Sequence, residues 1–390
     1  MNRSQRIHFI IIFLLVSFNL RMSFSAADPL LVFLMRDLGL SVSDSGLFGL
    51  LPIMALGAAA PLGARLVAVI RPRLLIIYAL LLAIAGVVWR SYGGVVGLYG
   101  GTVVSGLGLG ITGSVILGIV KQEFPADLPQ LMGAYTACVS LGTAVGSGAA
   151  DPIALALGGW QSGLLFWGLP LLIATLLWAE LIYFSPAAPE QQHTVRAPIA
   201  PLLRQQKAWA VSLFYLFRVA GAWLLIVWLA TIMRQRGLPL VEAGLVLALS
   251  TAFQIPAALL SSRIAEWLGG RSRLMTAAIL TSTGACWGLL LAPLTLWPVF
   301  SVFLGVGLGC IFALGMTLIV ENAADEASTV ALSGLAQGMG FIGGGLLAWV
   351  ASPIMQTERP DIWMATTYTI FALSGLFFGL RCNRPGQCRV

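Results

Sequence analysis

Charge is what this chain has least of: Asp, Glu, Lys and Arg together make up 9% of its 390 residues, and there are two histidines. Soluble globular proteins carry about 25% charged residues, so the scarcity excludes a fold solvated by water on all sides. It also removes most chemistry. His8 and His193, both at edges of the fold, make no metal site. No Walker lysine motif exists, and no nucleophile–base–acid set can be assembled in the apolar segments. Neither an enzyme, an ATP-driven machine nor a bound cofactor is expected. Gly106-x-Gly108-x-Gly110 follows no strand, which removes the nucleotide-binding reading and leaves close helix packing.

The five cysteines give no disulfide framework. Cys138, Cys286 and Cys310 fall in apolar segments, where a buried thiol acts as a small hydrophobe. Cys382 and Cys388 fall in a tail expected to be cytoplasmic and reduced.

What the chain does have is apolar length. It is 58% hydrophobic with a mean hydropathy of +0.93, and the runs are continuous, as in helices, without the alternation of barrel strands. There is room for about twelve spans of ~20 residues. The pattern places them near 7–34, 43–63, 73–90, 94–120, 131–153 and 161–184, then 208–233, 242–267, 273–292, 296–320, 329–353 and 362–381. The N-terminal arginines before an apolar run imitate a signal peptide, but the run is too long and lacks a clean cleavage site, so it reads as the first span. The one long polar interruption, 185–207, separates six spans in 1–184 from six in 208–390. An all-α integral membrane protein follows, its partner the lipid bilayer.

The net charge of +7 is topology. Arg3, Arg6, Arg65, Arg71, Arg73, Lys121, Arg196, Arg204, Lys207, Arg263, Arg271, Arg273, Arg381, Arg384 and Arg389 fall on one side; Arg36, Arg90, Arg234, Arg236 and Arg359 fall on the other. The positive-inside rule then puts both termini and the central loop in the cytoplasm. No nucleic-acid partner is implied.

The two halves repeat. Arg36, Gly39, Leu40, Asp44, Gly46, Leu47 and Arg65 recur as Arg234, Gly237, Leu238, Glu242, Gly244, Leu245 and Arg263, about 198 positions on. Gly106, Gly108 and Gly110 recur as Gly305, Gly307 and Gly309, and Gly133, Gly142 and Pro152 as Gly334, Gly343 and Pro353. Two parallel six-helix repeats place a site between them near the midplane.

Two cations occupy that depth. Arg21 lies inside the first span and Arg218 at nearly the matching place in the seventh. A charge at the bilayer centre costs roughly 2.5–3.5 kcal/mol on insertion scales, and a guanidinium presents five donors in a planar fork suited to small anions. Binding of an anionic substrate is the favoured reading; an ion pair with a neighbouring helix is the other. Asp28, two turns beyond Arg21 and before Pro29, is the candidate proton carrier or simply a kink. Gln254 offers a neutral hydrogen-bonding group, while Tyr135, Tyr215, Trp223 and Trp228 either wall a pocket or belong to the interfacial belt.

Asn19-Leu20-Arg21 with Asp28-Pro29-Leu30-Leu31, Ile119-Val120-Lys121 through Phe124-Pro125 to Gly133-Ala134-Tyr135, and Leu332-Ser333-Gly334-Leu335-Ala336-Gln337-Gly338-Met339-Gly340 resemble the bacterial cyanate and 2-nitroimidazole permease branch of the major facilitator superfamily. The resemblance covers nearly the whole chain. It implies the twelve-helix major facilitator fold, the bacterial inner membrane, a monomer, and a small-molecule substrate carried by alternating access. It adds Gln337 to the expected site. The chain departs from the branch at Asp28-Pro29, where Gly-Pro is usual, at Trp228-Leu229-Ala230, where Trp-Leu-Pro is usual, and at Arg218, where an uncharged residue is more common. Arg65 and Arg71, with Arg263 and Arg271, occupy the place of the superfamily's cytoplasmic gate, in degenerate form because Ala64 stands where an aspartate is usual. Lys121 reads better as a solvated charge at a helix C-terminus.

The expectation is a secondary transporter of a small organic or inorganic anion or weak acid, with a co-transported proton or an exchanged anion. A proton-coupled drug or metabolite exporter shares the fold: Gly142-x-x-x-Gly146-x-Gly148 through Pro152 loosely matches an antiporter motif. A non-transporting receptor or membrane enzyme would need an output module or a polar catalytic cluster, and neither is present.

Overall fold

The computed structural model describes residues 3–40, 42–184, 196–353, 357–382 and 386–390. Positions 185–195 of the expected central loop, with His193, lie outside them, as does Arg384. In hydrocarbon every backbone polar group must be paired within the protein, and a helix does this within one segment. The chain accordingly forms α1 (Arg3–Ser25), α2 (Leu31–Leu38), α3 (Val42–Leu66), α4 (Pro72–Tyr92), α5 (Gly94–Glu123), α6 (Leu128–Ala156), α7 (Trp160–Phe166) and α8 (Gly168–Phe184). In the second half come α9 (Gln206–Gln235), α10 (Leu240–Trp267), α11 (Arg271–Leu291), α12 (Trp297–Asn322), α13 (Glu326–Val350) and α14 (Pro360–Arg381). Eleven spans among the described residues are long and apolar enough to cross a membrane. The remaining expected span is α3, whose apolar stretch Leu50–Leu66 is shorter.

Two expected spans are interrupted. The sixth divides at Trp167 into α7 and α8. The first, expected as one helix over 7–34, stops at Ser25 and resumes at Leu31. Pro29 has no N–H to give the Ser25 carbonyl, and a residue before proline is driven from the helical region. Ala27 bonds back only to Phe24, which releases the Ser23 carbonyl as well. Side chains from other helices fill both places: Ser147 Oγ of α6 donates to Ser25 at 3.1 Å, and Arg90 Nη2 of α4 donates to Ser23 at 2.6 Å. Arg90, which the charge pattern placed in an outer connection, is fully buried.

The sequence repeat is visible as repeated contacts. Arg73 pairs with Glu123, joining α4 to α5, and Arg271 with Glu321, joining α11 to α12; both partners are displaced by 198 positions. Gly108 lies so close to Ala79 and Ala83 that a side chain would strike the Ala79 carbonyl. Gly307 meets Ala278 and Ser282, 199 positions on, in the same way. Small residues at these crossings let backbones touch where no hydrophobic effect drives helices together.

Across the halves, α3 and α5 pack on α13, and α6 packs on α10 and α12. Gly57 receives Ile342, Gly118 receives Val330 and Glu326, and Gly133 approaches the Ala258 carbonyl. The tail 386–390 folds back under the α12–α13 junction. The Cys388 N–H donates to the Asn322 carbonyl at 2.6 Å and the Ala324 N–H to the Cys388 carbonyl at 3.0 Å. Cys382 and Cys388 are both buried there as free thiols.

Candidate functional site

Arg21 stands on the last turn of α1 before the break, and Arg218 in the middle of α9. The Arg21 guanidinium lies 5.6 Å from the Trp223 ring. That of Arg218 lies over two rings, Tyr215 at 4.4 Å and Phe312 at 4.3 Å. The two arginines act on each other electrostatically, and both act on Tyr135 of α6 and Tyr215. Tyr135 stacks on Phe13 at 5.9 Å and Tyr215 meets Phe341 edge-on at 5.9 Å. The structure therefore gathers five of the expected residues, Arg21, Arg218, Tyr135, Tyr215 and Trp223, around the boundary of the halves.

Neither arginine has a carboxylate within ion-pairing distance among the described residues. Each aromatic face contributes about 0.5–2 kcal/mol to a cation, against roughly 2.5–3.5 kcal/mol for placing each arginine in the membrane. Two like charges in one place also repel. A positive remainder is left, and an anion would offset it. Asp28 is exposed in the break, within electrostatic range of Arg21 and Arg90. Arg218 additionally borders a cavity of about 30 Å³ walled by Gly221, Tyr368, Phe371 and Gly375. That is room for one water, not for a substrate.

Gln337 is buried. Its Nε2 donates to Ser333 Oγ at 2.6 Å and to the Gly113 carbonyl at 3.4 Å, tying α13 to α5. A side chain at Gly113 would come 4.0 Å from the Tyr135 hydroxyl, so Gln337 borders the cluster while also bonding helices. Two expected residues are not brought to it. Trp228 donates to Ser352 Oγ at 3.2 Å, pinning α9 to the segment just beyond α13. Gln254 is half-buried on α10, its backbone against Gly309 of α12.

At the end of the bundle carrying the termini, Arg65, Arg71 and Arg263 are exposed, while Arg271 is paired with Glu321. The counterpart of Arg271 in the repeat is Arg73, not Arg71. Lys121 lies within electrostatic range of Asp325, whose side chain caps α13 by accepting from the Ser328 N–H at 2.8 Å. Among the described residues no three His, Cys, Asp or Glu side chains converge as metal ligands. Sequence reasoning missed Arg90, Phe312 and Phe341. Arg90 closes an apolar run before Ser91-Tyr92-Gly93-Gly94, which has the composition of a loop, and nothing in that pattern distinguishes a buried arginine from a solvated one.

A duplicated bundle of membrane-spanning helices with polar groups gathered where its halves meet is the construction of a secondary transporter. The chain belongs to the major facilitator superfamily, whose family profile matches residues 13–348. It is 31% identical to the 2-nitroimidazole transporter of Escherichia coli K12 over 96% of this chain and 95% of that one. It is 27% identical to the Escherichia coli K12 cyanate transport protein CynX over 94% of each. Among solved structures, a bacterial homologue of the iron transporter ferroportin in its outward-facing state superposes with a TM-score of 0.77 at 14% identity. It covers 96% of this chain and 98% of its own. The transporter FucP in its outward conformation gives 0.75 at 14% identity, covering 96% and 99%. At that identity the likeness is one of fold. The family and the curated relatives are transporters, not enzymes.

Proposed function

We propose that this transporter carries a small organic or inorganic anion, or a weak acid, across the bacterial inner membrane by alternating access of residues 1–184 and 208–390 about the Arg21–Arg218 cluster. One observation carries the reading: two cations from opposite halves converge with aromatic walls and, among the described residues, no carboxylate within ion-pairing distance. Arg21 is the principal charge contact, Arg218 the second, and Tyr135, Trp223 and Gln337 complete the wall. The distribution of basic residues supports a cytoplasmic location for both termini, and a monomer suffices because one chain supplies both halves. The relatives named for cyanate and 2-nitroimidazole fit a ligand that is small and either anionic or flat.

Importing a monovalent anion against an inside-negative potential of 100 mV costs about 2.3 kcal/mol, close to a fiftyfold loss of accumulation. Asp28, exposed beside Arg21, is the group to accept a compensating proton. In proteoliposomes given cyanate or small carboxylates, uptake should follow an imposed pH gradient and ignore an imposed potential. Asp28→Asn should lose the pH drive while still binding the anion. Uptake that collapses with potential and ignores pH would refute proton coupling; no flux of any anion would refute the function.

A further inference from the structure

We infer that Arg90 is a positioning residue: it holds the break in the first span and thereby aims Arg21 and Asp28 at the substrate. The inference rests on the anion reading for its functional half, and on hydrogen-bond geometry alone for its structural half.

Arg90 is wholly buried, and its Nη2 occupies the place of the donor that Ser23 loses when Ala27 turns back to Phe24. Its Nε and Nη1 have no partner. A helix tie needs one donor, and a guanidinium with two unused ones is a costly way to make it. The charge that goes with them acts on Asp28, which lies within electrostatic range in the break itself. Arg90 thus gives the break a hydrogen bond at Ser23 and a balancing charge for the exposed carboxylate of Asp28. Its own place is fixed: Gly101 of α5 comes so near that a side chain there would lie 2.7 Å from the Arg90 Cβ.

The repeat supplies the control. The position matching Arg90 in the second half is Gly288, which packs on Phe300. Ser23 matches Gly221 and Pro29 matches Val227, and α9 runs unbroken from Gln206 to Gln235. Break, proline and buried arginine occur together in one half and are absent together from the other. The second half ties the matching helices differently, through Arg236 at the end of α9, which donates to the Leu289 and Ala292 carbonyls beside an unbroken helix. A helix tie as such therefore does not require an arginine at the place of Arg90.

The test uses the full chain in detergent with Arg90→Met, which keeps the side chain's length and removes its charge and donors. Amide hydrogen exchange over 26–31 should rise about tenfold or more as the break loosens. The melting temperature should hold or increase, since two unsatisfied buried donors are removed. Affinity for whichever of cyanate, formate and benzoate stabilises the wild type should fall about tenfold or more. Should Arg90→Met fail to fold, Arg90→Lys, which keeps the charge but not the fork, is measured instead, with a smaller rise in exchange. Unchanged exchange over 26–31 overturns the inference, and so does a rise matched by equal loosening of every helix with a fall in melting temperature. If no anion binds the wild type, the anion reading fails and the exchange result still decides the role of Arg90.

Discussion

Arg21→Ala should abolish anion uptake in proteoliposomes while leaving the protein folded. The guanidinium makes no ion pair among the described residues and touches its surroundings through the Trp223 face. Removing it therefore orphans no buried carboxylate, the usual route by which loss of a buried charge unfolds a protein. One ring contact of about 0.5–2 kcal/mol is lost, and the cost of placing a charge in the membrane disappears with it. Stability should change little in either direction. Substrate binding loses a charge-assisted, two-pronged contact worth roughly 1.5–3 kcal/mol for each hydrogen bond to a charged group, or about a hundredfold or more in affinity. Arg218→Ala should also weaken uptake, by less, because that guanidinium is already engaged by two rings, Tyr215 and Phe312.

The second large effect is on stability, and it separates the repeated ion pairs. Arg73 and Glu123 have side chains only 13% and 7% exposed, whereas Arg271 and Glu321 are 42% and 18% exposed. Aromatic rings close off the first pair. Phe9 lies 6.0 Å from the Arg73 guanidinium and 5.2 Å from Phe124, and Trp178 donates to the Arg73 carbonyl at 2.9 Å. Breaking a buried pair costs about 3–5 kcal/mol because a charge is left in low dielectric; an exposed pair is worth about 0.2–1 kcal/mol. Glu123→Gln should therefore lower the melting temperature several times more than Glu321→Gln, although the positions are equivalent in the repeat. Glu326, at the start of α13, lies within electrostatic range of both Arg73 and Glu123. The first pair thus braces the place where α13 meets α5 from the other half, and its loss should also ease separation of the halves there. Equal shifts for the two variants would contradict this account.

The architecture was legible in the sequence because membrane helices are specified by long apolar runs and by charge counts in the loops. The repeat at about 198 positions matched Gly108 with Gly307 in the sequence, and the structure shows what each of them packs against. Arg21 and Arg218 stood out because charge is rare at that depth. What the sequence did not disclose depends on contacts between distant segments. The break after Ser25 is stabilised by Ser147 and Arg90, which lie 122 and 67 residues from their partners. Asp28-Pro29 marked a possible kink but not its size, since proline in a membrane helix is tolerated when neighbours satisfy the freed carbonyls. Residue type left Trp228 open between a pocket wall and the interfacial belt, and its bond to Ser352, 124 residues away, had no signal in the sequence. Arg71 and Arg73 are two residues apart on the same basic loop, and only the fold shows that Arg73 finds Glu123.

The claim at the centre is that Arg21 binds an anion. It is tested most directly by thermal melting of the purified protein against cyanate, formate, benzoate and 2-nitroimidazole, for the wild type and Arg21→Ala. A ligand at 100 times its dissociation constant should stabilise the folded state by about 2.7 kcal/mol. The account predicts that at least one anion raises the melting temperature of the wild type and leaves that of Arg21→Ala unchanged. Stabilisation by 2-nitroimidazole alone, equal in both proteins, would contradict it and make Arg21 a structural residue.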